Sequence, residues 1–135
     1  MTNSVFEADH YRTYLKQRLA VTGTSRGLRS RLAEKIRTQP AFISMVLSGD
    51  NDLSPEHIPP TNELLGHSPE EAHYFTLLVF QARAGTKELR EYFQLQLTEI
   101  LSKRTEFLNR VQMKDTLKLS DQTLYYSRWY YLAIH

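Results

Sequence analysis

The chain has 135 residues, 41% of them hydrophobic and 24% charged, with a formal net charge of +2 and no cysteine. That composition describes a folded chain, either one compact domain or a small domain with a helical extension, and argues against wholesale disorder. It excludes disulfides and thiolate metal sites, and no apolar run approaches the roughly 20 residues of a membrane span.

The N-terminal stretch MTNSVFEADHYRTYLKQ has no apolar h-region, so a signal peptide is not expected and the expected location is the cytoplasm. Charge is unevenly spread. Arg12, Lys16, Arg18, Arg26, Arg29, Arg31, Lys35 and Arg37 are opposed over their span only by Glu34, whereas acids outnumber bases from Asp50 to Glu99. A basic head on an acidic body points to an anionic partner such as nucleic acid; the plain alternative is a solvated basic helix surface.

Tyr11, Tyr14, Leu15, Arg18 and Leu19 share one face of a helix predicted over 6–20. VTGTSRG makes a turn, and Leu28, Leu32, Ala33 and Ile36 set a short second helix over about 27–36 that lacks a C-cap glycine. A third helix is predicted over 39–48, with Pro40 in its first turn, Ile43, Val46 and Leu47 as its buried edge, and Gly49 at its left-handed end. Ser54 and Pro55 start another helical turn, which Pro59-Pro60 is expected to interrupt, leaving a second piece from about 60 to 65. Ser68, Pro69, Glu70 and Glu71 then open a helix to about 84, with Ala72, Phe75, Leu78, Val79 and Ala82 on its apolar face.

The longest helix is predicted from Thr86 to about Met113. Phe93, Leu97, Ile100, Phe107 and Val111 form a heptad-like seam broken by Arg104, for a neighbour in the same chain or in a homodimer. A last helix is expected from Ser120 to His135. Tyr126, Trp129 and Tyr130 share a face there, read first as core or interface packing and second as a stacking platform.

One constellation carries function. LRSRLAEKIRTQPAFISMVLSGDNDL, over Leu28–Leu53, holds L-x-x-x-L-A-E-K-I, a short turn, P-A-F-I-S-x-V-L-x-G, and a leucine four residues on. It resembles the Cro/repressor (Xre-like) helix-turn-helix, in which the alanine packs one helix on the next and the Ile-Ser-x-Val-Leu run anchors the recognition helix. LSPEH, LLGHSPEEAHYFTLLV and YYSRWYYLAIH are further similar to a bacterial paralogous family of transcriptional regulators, in which such a head leads into an uncharacterised helical region. Members of that family continue past the Trp-Tyr segment, so this chain is expected to be a short member or a fragment.

The resemblance implies an all-α fold, with an Xre-like helix-turn-helix bundle over 1–67 and long helices over 68–135 for dimerisation or partner binding. It implies a DNA-binding transcriptional regulator whose recognition helix enters the major groove. Gln39, Pro40, Ala41, Ser44 and Met45 would then face bases, and Arg29, Arg31, Lys35, Arg37 and Ser48 would hold the DNA backbone.

Four features depart from the pattern. Arg37 stands where glycine is usual, at a cost of roughly 1 kcal/mol if left-handed. The base-facing set offers few hydrogen-bonding readers. Asp50 and Asp52 are expected to repel phosphate, and Pro59-Pro60 to break the helix that completes the domain. The alternative function is therefore a degenerate helix-turn-helix acting as an adaptor or antirepressor-like module, with Phe42, Met45, Tyr126, Trp129 and Tyr130 as its protein interface. The histidines have no ligand spacing, and neither GxSxG nor a glycine-rich phosphate loop occurs. No metal, no cofactor and no enzymatic activity are expected.

Overall fold

A computed structural model describes residues 4–20 and 25–120. Among the described residues every regular element is helical. After a 3-10 turn at Val5–Glu7 come α1 (Tyr11–Leu19), α2 (Ser25–Lys35) and α3 (Pro40–Ser48). A second 3-10 turn, Pro55–His57, leads into α4 (Ile58–Leu65), α5 (Pro69–Arg83) and α6 (Lys87–Ser120). None of these helices is long and apolar enough to cross a membrane. The helix expected from Ser120 to His135, with Tyr126, Trp129 and Tyr130, lies outside the described residues.

The chain forms two compact units, Met1–Thr98 and Glu99–His135. In the first unit α2 packs on α3 and α4, and α1 packs on α2, α3 and α5. Its core joins Tyr11, Tyr14, Leu15 and Leu19 of α1 to Leu32 and Ala33 of α2 and to Ile43, Val46 and Leu47 of α3. Phe75, Leu78 and Val79 of α5 close it, together with Leu53 and Ile58. Residues 68–98, expected in a helical extension, thus share a compact unit with the head. Tyr74 and Leu77 are also buried, so the apolar face of α5 is wider than its periodicity predicts, while Ala72 and Ala82 are only half-buried.

Local chemistry explains the helix ends. The predicted helix over 6–20 is two elements, because Ala8 is extended and the His10 ring caps α1 by accepting the Arg12 N–H at 3.0 Å. Between α2 and α3, Arg37 has φ 62°. Its N–H donates to Glu34 O (3.1 Å) and the Thr38 N–H to Ala33 O (2.8 Å), so a non-glycine residue closes a Schellman turn. Gly49 ends α3 at φ 96°.

Pro59 and Pro60 do not interrupt a helix. They occupy the first turn of α4, where no intrahelical N–H is needed, and the 3-10 turn Pro55–His57 runs directly into it. Ser68 and Glu71 form a reciprocal capping box at α5: the Glu71 N–H donates to Ser68 Oγ (3.2 Å) and the Ser68 N–H to Glu71 Oε1 (2.8 Å).

The start of α6 returns along α5, with Phe80 and Phe93 ring centroids 5.7 Å apart and Gln81 bonded to Gln94 at 2.7 Å. Leu97 is buried there, whereas Leu89, Tyr92 and Leu95 are exposed. In the second unit the helix runs on to Ser120, longer than its expected end at Met113, and its Phe107, Leu108 and Met113 are exposed.

Candidate nucleic-acid interface

The outward side of α2 and α3 follows from what their inward sides bury. Leu32, Ala33, Ile36, Ile43, Val46 and Leu47 are all under 7% exposed. The 3.6-residue repeat then turns Arg29, Arg31, Glu34 and Lys35 of α2 outward, and likewise Pro40, Ala41, Ser44, Met45 and Ser48 of α3. Arg37 and Gln39, in the turn between the helices, are exposed as well. The residues singled out as base-facing and the five singled out for the DNA backbone therefore all reach solvent, on two helices that pack together and on the turn between them.

Two side chains of this set, and the neighbouring Phe42, have local engagements. Lys35 Nζ lies 3.2 Å from Glu63 Oε1 of α4, an exposed pair of small energetic weight. Ser48 Oγ lies 3.1 Å from Met45 O and 3.0 Å from Asp50 Oδ2, so its single proton is already shared locally. Phe42 is half-buried, its ring edge against His57 with centroids 5.3 Å apart. Exposed apolar surface on α3 is therefore Met45, 41% exposed, with Pro40 and Ala41.

Two corrections concern charge. Arg12 and Arg18 do not belong to an outward basic surface. Arg12 Nε donates to Val46 O at 2.6 Å, near the C-terminal end of α3, and its Nη2 donates to Asn51 O (3.3 Å) and Asp52 Oδ1 (2.8 Å). Arg18 donates to the Tyr14 hydroxyl (2.6 Å) and to Leu65 O (2.9 Å). Both act as internal struts.

Asp52, in turn, is not a free carboxylate beside the helix. It also accepts the Tyr11 hydroxyl at 2.6 Å, and that hydroxyl accepts the Leu53 N–H at 3.3 Å. Burial, reinforced by the bond to Asp52, pushes the Tyr11 hydroxyl up to about 12. The exposed carboxylate of this loop is thus Asp50. Nothing local in the sequence announces the Arg12–Asp52 pair, because its members lie 40 residues apart.

A second polar cluster joins α1 and α4 to His67 in the turn before α5. The Tyr14 hydroxyl, which accepts from Arg18, lies 2.7 Å from His67 Nε2, and His67 Nδ1 lies 2.7 Å from Asn62 Oδ1. The arrangement that satisfies every group has Tyr14 donating to Nε2 and Nδ1–H donating to Asn62, a neutral ring. Burial and then the Arg18 charge lower the His67 pKa. Among the described residues no group of three or more His, Cys, Asp or Glu could hold a metal ion.

No family model, curated protein or solved structure matches the chain.

Proposed function

We propose that the chain is a DNA-binding transcriptional regulator in which α2 and α3 form a Cro/repressor-type helix-turn-helix. The observation that carries this reading is the surface of the pair. Arg29, Arg31 and Arg37 stand exposed beside the outward face of α3, while Asp52 is held by Arg12 and Tyr11. In this reading the cations meet phosphates and fix register, Gln39 and Ser44 hydrogen-bond to base edges, and Ala41 and Met45 meet thymine methyl groups. Two copies would read half-sites about one DNA turn apart. The reading assigns no catalytic step, and its setting is the cytoplasm. The adaptor alternative draws less support, since Phe42 is turned onto His57 instead of joining Met45 in one exposed patch.

Two substitutions test the assignment by duplex binding. Arg31→Glu is expected to weaken binding to all duplexes alike and to reduce the salt slope by about 1. Gln39→Ala is expected to change preference among duplexes by about 1–3 kcal/mol and to leave the slope alone. Equal affinities of both variants and the parent would remove α2 and α3 from the interface.

A further inference from the structure

Two histidine rings accept hydrogen bonds from backbone N–H groups, and both sit at places where α3 is held. His10 Nδ1 accepts the Arg12 N–H at 3.0 Å, capping the first turn of α1. From that turn the Arg12 side chain reaches the Val46 carbonyl in the C-terminal half of α3. His57 Nδ1 accepts the Ser54 N–H at 3.1 Å, closing the turn ahead of α4. The same ring packs on Phe42 in the N-terminal half of α3, at 5.3 Å and 68°. A backbone N–H can only donate, so each bond requires a lone pair on Nδ1.

We propose that His10 and His57 form a proton-sensitive hold on α3, which loosens when the rings are protonated. A proton on Nδ1 sets donor against donor at both caps. The His10 cap then no longer fixes the backbone from which Arg12 reaches α3, and the His57 turn no longer presents its ring to Phe42.

The surroundings of each ring set the direction. His10 stacks on Tyr11 at 5.2 Å; burial first and then the Arg12 charge disfavour its proton, while Asp52 favours it. Asp52 already accepts from Arg12 and Tyr11, so it offers His10 limited compensation. At His57, burial first and then Arg83 of α5 disfavour the proton, Glu56 favours it, and the Phe42 ring offers it no charge.

Both rings therefore titrate in the folded protein below the unfolded value of 6.5. Between the two values the released state binds more protons, so the hold is complete above pH 6.5 and is lost as pH falls below it. His67 shares this direction, but it faces Tyr14, Arg18, Asn62 and Glu71 and bears on the packing of α1, α4 and α5. The inference concerns the fold alone and does not depend on the DNA reading. If α3 does meet DNA, affinity would fall on acidification, opposite to the usual gain as histidines become cationic.

Amide hydrogen exchange of the full chain at about pH 7.5 and 5.5, corrected for intrinsic rates, tests it. Protection over Ile43–Ser48 is expected to fall, by at most about tenfold for each histidine, ahead of any loss over Phe75–Val79. The double variant His10→Asn, His57→Gln keeps an acceptor at each cap without a titrating group, and is expected to abolish the dependence. Ring 15N shifts in the parent supply a reading that needs no variant, and both rings should titrate below 6.5. Unchanged α3 protection in the parent, a dependence that survives in a folded double variant, or a ring titrating at or above 6.5 would each overturn the proposal.

Discussion

Phe75→Ala is expected to destabilise the protein by about 3–5 kcal/mol, a large share of the roughly 5–15 kcal/mol available to a domain. The ring is fully buried. It meets Tyr11 edge-on at 6.3 Å, Tyr14 at 5.9 Å and His67 at 5.5 Å, so it ties α5 to α1 and to the turn after α4. Truncation leaves a cavity lined by aromatic groups whose hydroxyl and ring nitrogens are fixed by other bonds, which limits collapse into the space. Urea unfolding followed by helical circular dichroism measures the change. A loss below about 1 kcal/mol would mean that α5 is not an integral part of the first unit.

Arg12→Ala is expected to cost about 2–3 kcal/mol, because it removes charge-assisted bonds to Asp52 and Val46 and leaves Asp52 without its cation. The pair is shielded but not sealed, with side chains 22% and 35% exposed, so the upper end of the buried-pair range is not reached. Asp52→Asn keeps an acceptor for the Tyr11 hydroxyl and should cost less. The double variant should be less destabilised than the sum of the singles, the mark of a direct coupling. Because Arg12 points into the unit, its loss should leave the salt slope of duplex binding unchanged in any folded variant. A steeply reduced slope would place Arg12 on phosphate instead of on α3.

What the sequence made legible was periodic or covalent. The spacing of Leu32, Ala33 and Ile36 against Ile43, Val46 and Leu47 marks two helices with their inward faces, and Leu53 falls into the core beneath them. Gly49 and Ser68 stand at a left-handed helix end and a capping box, where their conformational preferences place them. Arg37 could be flagged as a non-glycine residue at a position that wants positive φ, and its φ is 62°.

What the sequence concealed was long-range or depended on flanking residues. Arg12 and Arg18 read as part of a basic surface because their acceptors, Val46, Asp52 and Leu65, are distant in the chain. Pro59-Pro60 reads as a break only when the helix is taken to begin at Ser54; once Pro55–His57 is a separate 3-10 turn, the same prolines are first-turn residues. Histidine as a cap is likewise hard to anticipate, since Ser, Thr, Asp and Asn are the usual signals. For the candidate site, exposure followed from periodicity, whereas the pairing that neutralises Asp52 did not.

The most direct test of the account is fluorescence anisotropy of the parent chain against a labelled mixed-sequence duplex, from about 50 to 200 mM salt. With Arg29, Arg31 and Arg37 on phosphates, and Lys35 as a fourth where it leaves Glu63, the log–log slope should be about −2.7 to −3.6 per protomer. Affinity would then fall by roughly 40- to 150-fold across the range. Absence of binding even at the lowest salt would contradict the assignment of the α2–α3 surface to DNA.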